Sequence, residues 1–444
     1  MSIIDDIAVS LIYCASFFLV AYFITLPKRD DTAFIRFSVI FMTLFFIIPV
    51  IMSNENDRFY YADRVFYYDT ENWLKVALSL WAFMAGFIVR DLILTSRKFS
   101  KLASARSYRQ VTSRYYLNSQ KTALLVAVSC ALLLTTLLLS PASETIYLQR
   151  RGEAQGSHLF LMFNMLTNYV FFAGLFAAVA LKWNVISAAM IVGHIVFLLS
   201  GSPGRFSLGI DVLIAVVMFT RISTVKLVAV IPVLILVGMP LILNGKIIIY
   251  SLIVLNKVPE FSVLYDYTHI FSDFVNNFGH PMASLYSVND TLELTGVRLF
   301  YDMFQGFLFY LRAFGINAGD SLTYFNTESL LGVRESIVPP GYLAFGYMQA
   351  SYAGIFMMGI FYRSLFYFTY YAKMFRLIRG EAFLLYVSLL AANTFYHGEI
   401  RILVVSYIGK FAVMYLCISL CTDKRNAVGR EKCLETNERL RPSY

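Results

Sequence analysis

Charged residues are scarce in this sequence. They make up 15% of the 444 residues, while hydrophobic residues make up 58%; a soluble domain has about a quarter charged residues. Apolar runs long enough to cross about 30 Å of hydrocarbon, roughly 18 to 20 residues each, recur along the chain. Backbone groups in lipid must bond internally, and the runs lack the alternating polarity of barrel strands. The sequence therefore predicts membrane-spanning helices.

Cysteine frameworks and familiar catalytic motifs are also missing. Cys417 and Cys421 share a helical face but have no nearby histidine or further cysteine to complete a metal set. We interpret the five cysteines as packing residues, and the sequence predicts no metal site and no cofactor. It contains no P-loop, zinc-protease or serine-hydrolase motif. This argues against nucleotide-driven transport, zinc hydrolysis and serine acyl transfer.

Basic residues are concentrated in a few segments between apolar runs. The net charge of +9 is therefore better explained by membrane topology than by a nucleic-acid partner, and no nucleic acid is predicted. Cytoplasmic loops carry an excess of Lys and Arg, which predicts that the basic loop 94–121 lies in the cytoplasm. Alternation from this loop predicts an external N-terminus and a cytoplasmic C-terminus. The acidic start MSIIDDIAVS lacks the basic region of a signal peptide, so the first apolar run is predicted to remain.

The whole pattern predicts an all-α polytopic membrane protein with about eleven transmembrane helices. Residues 1–244 are assigned to helices 1–8, residues 245–341 to a large external loop with amphipathic helices, residues 342–420 to helices 9–11, and residues 421–444 to a cytoplasmic tail. We call residues 245–341 the external segment. The spans whose approximate bounds can be predicted from the sequence are 73–93, 122–140, 159–181, 184–200, 206–220, 227–244, 342–362, 382–397 and 402–420.

Arginines on the predicted external side are candidates for anion binding. Ionisable groups near the bilayer are costly, so those gathered at one surface are functional candidates. Arg205 stands at a tight outer turn after Gly204, and its planar guanidinium suits a phosphate or diphosphate. The alternative is a headgroup anchor. The other external arginines assigned to the same anion are Arg150, Arg151, Arg312, Arg334 and Arg401.

A second candidate feature is the sequence GVRESIVPPGY. Pro339 and Pro340 fix an extended backbone and Gly341 lets it turn into the next helix, so we call these three residues the elbow. A rigid elbow can hold Arg334 and Glu335 at a fixed depth. Glu335 can serve as a general base for a sugar hydroxyl, or simply pair with its neighbouring arginine.

Histidines and tyrosines on the same side were weighed in the same way. His280 and His397 are further acid–base candidates, although a lone histidine in a loop is more often an ordinary polar residue. The tyrosines of the stretch 60–68 can form a sugar-stacking surface, but the pattern is more typical of an interfacial aromatic belt.

These features together resemble the Wzy-type oligosaccharide repeat-unit polymerases. The resemblance rests on the Gly204-Arg205 turn, on the late external segment ending in Arg334 and the elbow, and on the following helix reading GYMQASYAG. It extends to the plan of about eleven spans. It implies an inverting glycosyltransferase of the integral-membrane type C class, in which Arg205 matches the turn arginine and Arg334 the loop arginine.

The resemblance also implies substrates, partners and a location. The substrate is a growing glycan on undecaprenyl diphosphate, transferred to a newly flipped lipid-linked repeat unit of an O-antigen or related surface polysaccharide. The donor diphosphate supplies the energy, so no nucleotide site is needed. The implied location is a bacterial inner membrane, with a periplasmic N-terminus, a cytoplasmic C-terminus, and a chain-length regulator and a flippase of the same pathway as partners.

Three alternatives stay open. An O-antigen ligase shares the architecture, and its expected loop histidine is here only matched by His280. A lipid-linked oligosaccharide flippase or other transporter is expected to place charged residues inside its spans; the span interiors carry almost none, which favours the polymerase. A non-catalytic scaffold predicts that the external arginines are individually dispensable.

Overall fold

The computed structural model describes most of the predicted spans and part of the external segment. The described residues are 32–47, 58–61, 64–67, 70–95, 111, 114–139, 158–200, 205–227, 257–258, 279–308, 320–333, 338–398 and 403–424. Helices dominate them, and the predicted all-α class is confirmed.

The described residues of the first half form six helices and a small hairpin. The helices are α1 Thr32–Met42, α2 Thr70–Thr95, α3 Ser119–Leu139, α4 His158–Ala180, α5 Asn184–Ser200 and α6 Arg205–Thr220. A π-helical turn, Thr43–Ile47, continues α1. Strands β1 Arg58–Tyr61 and β2 Arg64–Tyr67 pair antiparallel between α1 and α2.

In the second half, the described residues form four short helices in the external segment and three longer ones after it. The helices are α7 His280–Tyr286, α8 Val288–Thr295, α9 Tyr301–Leu308, α10 Leu322–Leu331, α11 Gly341–Tyr370, α12 Glu381–His397 and α13 Lys410–Leu420. A 3-10 turn, Met374–Leu377, precedes α12, and a π-helical stretch, Leu403–Gly409, precedes α13. Strand β3 Tyr115–Leu117 pairs antiparallel with β4 Thr422–Lys424.

Among the described residues, three helical stretches are long and apolar enough to cross a membrane, namely Leu74–Leu94, Ser119–Leu139 and Phe163–Ala180. Apolar helices of 10 to 17 residues occur at Thr32–Met42, Asn184–Leu198, Leu208–Thr220, Glu381–Phe395 and Ser406–Leu420. These helices indicate a membrane-associated protein. The count of eleven spans stays a prediction, and predicted span 227–244 lies almost wholly outside the described residues.

The centre of the bundle is the close contact between α2 and α11. A Cβ atom added to Gly86 would collide with the backbone carbonyl of Phe356, and one added to Gly359 would collide with that of Phe83. Small residues let helix backbones approach this closely, as is common between helices in membranes. Asp91 and Arg363 form an ion pair further along the same interface, so α2 and α11 run in the same direction.

Helix α11 is broken near its start. Ala350 and Ser351 have non-helical backbone angles, with φ/ψ of −161°/42° and 54°/−144°. A Cβ atom on Gly346 would lie 2.8 Å from Ile355 Cα, although nine residues of straight helix span about 13 Å. The chain therefore folds back at the break, and we call residues 341–349 the short limb and 352–370 the long limb. This differs from the single continuous span predicted at 342–362.

Candidate functional site

The elbow lies against two other segments of the chain. Gly341 has a φ of 75°, and a Cβ atom there would lie 2.6 Å from Pro281 Cβ. Gly398, which caps α12 with a φ of 61°, has its Cα directly against the backbone of Gly341, so that an added Cβ would collide with it. Both positions need glycine because of the left-handed conformation and because of the lack of space. The elbow is thus wedged between the start of α7 and the end of α12.

Three predicted site elements meet at this point. His280 is the first residue of α7 and is buried, Pro339–Gly341 form the elbow, and His397 is the last residue of α12. His280 and the elbow belong to the external segment, whereas His397 belongs to the last predicted outer turn. The side chain of His397 lies outside what the structure describes. The catalytic roles of both histidines stay predictions.

Helix α10 fixes the elbow in place. The Asn326 side-chain amide donates to the Val338 carbonyl at 2.8 Å and to Ser284 Oγ at 3.0 Å. The Val338 N–H donates to Thr327 Oγ1 at 2.9 Å. Pro339 and Pro340 have no N–H to donate, so Val338 is the last backbone donor before the elbow. Both of its polar groups are bound, which holds the elbow rigidly on α10 and α7.

The sequence analysis missed Asn326, Thr327 and Ser284. They lie in short helices of mixed polarity whose only sequence signal is a set of polar residues in an otherwise apolar region. Asn326 and Ser284 are fully buried, and a buried amide needs several partners at once. Only the tertiary structure shows that these partners belong to the elbow.

A second set of contacts ties the external segment to the break in α11. Arg298 donates to Asp302 through Nε at 3.2 Å and Nη2 at 2.7 Å, and Gln349 Nε2 donates to the same carboxylate at 3.0 Å. The backbone N–H groups of Arg298 and Leu299 donate to the carbonyls of Met348 and Gln349 at 3.3 and 3.2 Å. Those carbonyls are freed where the helix stops. Arg298 is therefore engaged with a buried carboxylate and serves to hold this junction.

The hairpin β1–β2 covers α7 and α8. Phe66 stacks on Tyr286 with ring centroids 6.0 Å apart, and Arg64 forms a 3.6 Å ion pair with Asp290. Burial raises the pKa of Tyr61 to about 12, so this hydroxyl stays protonated at physiological pH. The part of the aromatic stretch that the structure describes thus packs on helices of the external segment.

Most of the predicted anion-binding residues fall outside the described residues. These are Arg150, Arg151, Arg312, Arg334, Arg401 and the candidate base Glu335. Arg205 is the first residue of α6, and its side chain is not described. Binding of a diphosphate by these arginines stays a prediction.

The expectation that span interiors carry almost no charge is wrong. Arg363 donates to Asp91 Oδ1 through Nη2 at 2.6 Å and through Nε at 2.9 Å, with both side chains buried. His194 and Asp211 form a second buried pair, 2.6 Å apart. Single charged residues barely lower the average hydropathy of a long apolar run. They are therefore overlooked when a span is identified from its average hydropathy. The argument against a transporter that rested on this expectation no longer holds.

No metal site is formed by the described residues, which contain no group of three or more histidine, cysteine, aspartate or glutamate side chains placed to hold an ion.

The chain was compared with protein-family models, curated proteins and solved structures, and nothing matches in any of the three comparisons.

Proposed function

We propose that this chain is a membrane glycosyltransferase that polymerises lipid-linked oligosaccharide repeat units on the external side of the membrane. The observation that carries the proposal is the position of the elbow. The elbow is inserted between α7 and the end of α12, and the residue before it, Val338, is hydrogen-bonded through both its N–H and its carbonyl. A segment built this way brings external residues to one fixed place at the membrane, where a lipid-linked donor presents its diphosphate.

Covalent geometry links this place to the candidate chemical groups. Glu335 is three residues before Val338 and Arg334 is four, so their Cα atoms lie within about 11 Å and 14 Å of it. We therefore propose that the guanidinium of Arg334 and the carboxylate of Glu335 act together with His280. This is the set of groups that glycosyl transfer from a diphosphate needs.

The proposed reaction is a single inverting displacement. The hydroxyl oxygen of the acceptor sugar attacks the anomeric carbon of the donor, and the bond from that carbon to the diphosphate oxygen breaks. The hydroxyl proton passes to a base, for which Glu335 and His280 are the candidates. The diphosphate leaves with the bonding electrons, and Arg205 and Arg334 stabilise the negative charge that grows on it.

A transporter of lipid-linked oligosaccharides is the second candidate function. The buried Asp91–Arg363 ion pair and the buried His194–Asp211 contact favour it, because ionisable groups inside a membrane bundle often line a transport path. The break in α11 also favours it, since interrupted helices are common at transporter binding sites. The large structured external segment and its elbow have no evident use in a transporter, which is why we rank the polymerase first.

Deleting the gene in its host and separating lipopolysaccharide or capsule on a gel discriminates among the candidates. A polymerase predicts a product with a single repeat unit. A ligase predicts loss of glycan from the lipid A core while polymer accumulates on the carrier lipid. A flippase predicts that no repeat unit reaches the outer side. An unchanged ladder would refute all three.

Complementation then tests the residues. Arg205→Ala and Arg334→Ala are expected to abolish the ladder, while Arg205→Lys asks whether the charge suffices or the two-pronged guanidinium is required. Lys257→Ala is the matched control, because Lys257 is an exposed cation of the same external segment. Full ladders from both alanine variants would contradict the proposed roles.

A further inference from the structure

Residues 294–304 of the external segment, which we call the strip, expose a run of large apolar side chains. The charged residues of the strip are Arg298 and Asp302, and they pair with each other. A contiguous apolar surface of this kind marks a place that contacts lipid or another protein. The exposed apolar side chains are Leu294 at 49%, Val297 at 64%, Leu299 at 73%, Tyr301 at 53% and Phe304 at 70%.

The backbone of the strip is bonded to protein groups where it is not helical. The N–H groups of residues 298–299 donate to the two carbonyls that are freed at the break in α11. The Phe300 N–H donates to Gln349 Oε1 at 2.7 Å, and the Tyr301 N–H donates to the Arg298 carbonyl at 2.9 Å. Four consecutive donors are thus satisfied without water. Irregular backbone can lie at membrane depth only when other protein groups satisfy it in this way.

Two residues of the strip have a strained backbone. Leu299 and Phe300 have φ angles of 46° and 62°, in the left-handed region that is costly for residues other than glycine. The hydrogen bonds to the break fix this conformation, in which Leu299 is exposed and Phe300 packs against the core. Strain that the surrounding contacts maintain indicates a functional demand. Here its result is a large apolar side chain turned outward.

The two charged residues of the strip face inward. The side chains of Arg298 and Asp302 are 14% and 2% exposed, and Gln349 Nε2 donates a further hydrogen bond to the carboxylate. The Arg298 guanidinium carbon also lies 5.3 Å from the ring centroid of Tyr301 and 5.7 Å from that of Phe325. The strip therefore buries its charges and exposes its apolar groups, which is the reverse of a loop in water.

The neighbouring helices place the strip at the level of the hydrocarbon. Gly359 of the long limb lies against the backbone of residues 83–87, and α2 and the long limb run in the same direction. Tyr352, the first residue of the long limb, is seven residues and about 10 Å earlier, so it lies level with about Leu78. That residue is four positions, about 6 Å, inside the apolar stretch Leu74–Leu94. The strip, which is bonded to the residues just before the break, lies at about the same depth.

Contacts at the two ends of the strip agree with this level. At its C-terminal end, α9 contacts the π-helical stretch Leu403–Gly409, which runs into the apolar helix Ser406–Leu420. Before its N-terminal end, Asn289 and Glu293 are exposed polar residues of α8. This is the pattern of a chain that passes from water into lipid within α8.

We propose that the strip is a re-entrant segment, which enters the membrane from the side on which α2 begins and contacts the acyl chains of that leaflet with its exposed side chains. Bilayer lipid is the partner that fits, because the exposed surface is apolar, carries no charge and lies level with the hydrocarbon. The proposal does not rest on the reaction that the chain catalyses. It differs from the prediction of interfacial helices, which would lie flat at the membrane surface.

Quenching of tryptophan fluorescence by brominated lipid tests the proposal. The three native tryptophans are replaced by phenylalanine in the full chain, and one tryptophan is introduced by Leu299→Trp or Phe304→Trp. The purified protein is reconstituted in phosphatidylcholine vesicles with or without bromine on the acyl chains. Leu134→Trp, at a residue that is 59% exposed on the spanning helix α3, is the positive control. Asn289→Trp, at an exposed polar residue of α8, is the negative control.

We expect Leu299→Trp and Phe304→Trp to be quenched as strongly as Leu134→Trp, while Asn289→Trp keeps its emission. Bromine near the headgroup should quench the strip more than bromine at the chain ends, because the strip lies only about 6 Å below the start of the apolar stretch. If the chain without native tryptophans does not fold, the emission that each new tryptophan adds to the wild-type background gives the same comparison.

Two results would overturn the proposal. One is emission that bromine leaves unchanged at both strip positions while the positive control is quenched. The other is quenching that appears only when the protein is diluted in lipid, because this would assign the strip to a contact between two copies of the chain.

Discussion

Removing the charge of Asp91 should destabilise the protein strongly, because it leaves Arg363 buried without its carboxylate. Arg363 is 1% exposed. Its guanidinium carbon lies 5.9 Å from the ring centroids of both Phe34 and Phe87, so water cannot replace the lost partner. Asp91→Leu keeps the approximate shape of the side chain and removes only the charge and its hydrogen bonds.

The magnitude follows from what buried ion pairs cost to break in other proteins. Breaking a buried ion pair by removing one partner costs about 3 to 5 kcal/mol. We therefore expect Asp91→Leu and Arg363→Met each to lose about 3 kcal/mol, roughly 150-fold in the unfolding equilibrium. The double variant, which places two apolar side chains at the interface, should lose much less than either single variant.

Unfolding in mixed dodecyl maltoside and SDS micelles, followed by circular dichroism, measures these differences. Glu71→Leu is the control, since Glu71 is an exposed acid on the same helix, and it should change stability by less than about 0.5 kcal/mol. The reasoning would be refuted by a loss below about 1 kcal/mol in Asp91→Leu, or by a double variant whose loss equals the sum of the two single losses.

Three further predictions concern the elbow and the β3–β4 ribbon. Gly398→Ala should abolish polymer ladders and cost at least about 2 kcal/mol, whereas Gly380→Ala, where a Cβ has no atom within 4 Å, should fold and function normally; equal behaviour of the two would contradict the wedged elbow. Asn326→Leu should shorten the polymer ladder even in the fraction of the protein that remains folded. An unaffected ladder would show that α10 does not contribute to the site. Hydrogen bonds from Lys121 and Asn118 lower the pKa of Asp423, so the ribbon is stabilised above the unfolded pKa of about 4 and loses this contribution as pH falls through the lower, folded value. The protection of the ribbon amides against hydrogen exchange, taken relative to the intrinsic exchange rate at each pH, should therefore fall under acid, and Asp423→Asn should remove that pH dependence.

Helix positions could be predicted well from the sequence where an apolar run is bounded by turn-forming or basic residues. The predicted bounds 184–200, 206–220 and 382–397 differ by at most one residue from Asn184–Ser200, Arg205–Thr220 and Glu381–His397. In each case the boundary is a local event, the point at which a run of lipid-compatible side chains stops. No long-range contact is needed to locate it.

The break in α11 could not be predicted from the sequence, because it depends on contacts with a distant part of the chain. The residues around it, GYMQASYAG, contain no proline and continue the apolar pattern on both sides. What stabilises the break is the binding of the freed carbonyls of Met348 and Gln349 by the backbone of residues 298–299, nearly fifty residues earlier in the chain. Backbone that leaves a helix inside a membrane protein must be satisfied by other protein groups, and those groups are visible only in the folded structure.

The elbow combines both situations, and this explains how the site is built. Its rigidity is local, since two prolines and a glycine dictate it, and the sequence analysis identified it. Its position, by contrast, depends on contacts with distant parts of the chain. The short limb is held at its first residue by Pro281 and Gly398, and at its last residue by Gln349, which accepts from Phe300 N at 2.7 Å and donates to Asp302. A limb fixed at both ends by the external segment cannot move without it. The external segment, the elbow and the break in α11 therefore act as one mechanical unit, and substitutions at Gln349 or Asp302 should disturb the candidate site as severely as substitutions in the elbow itself.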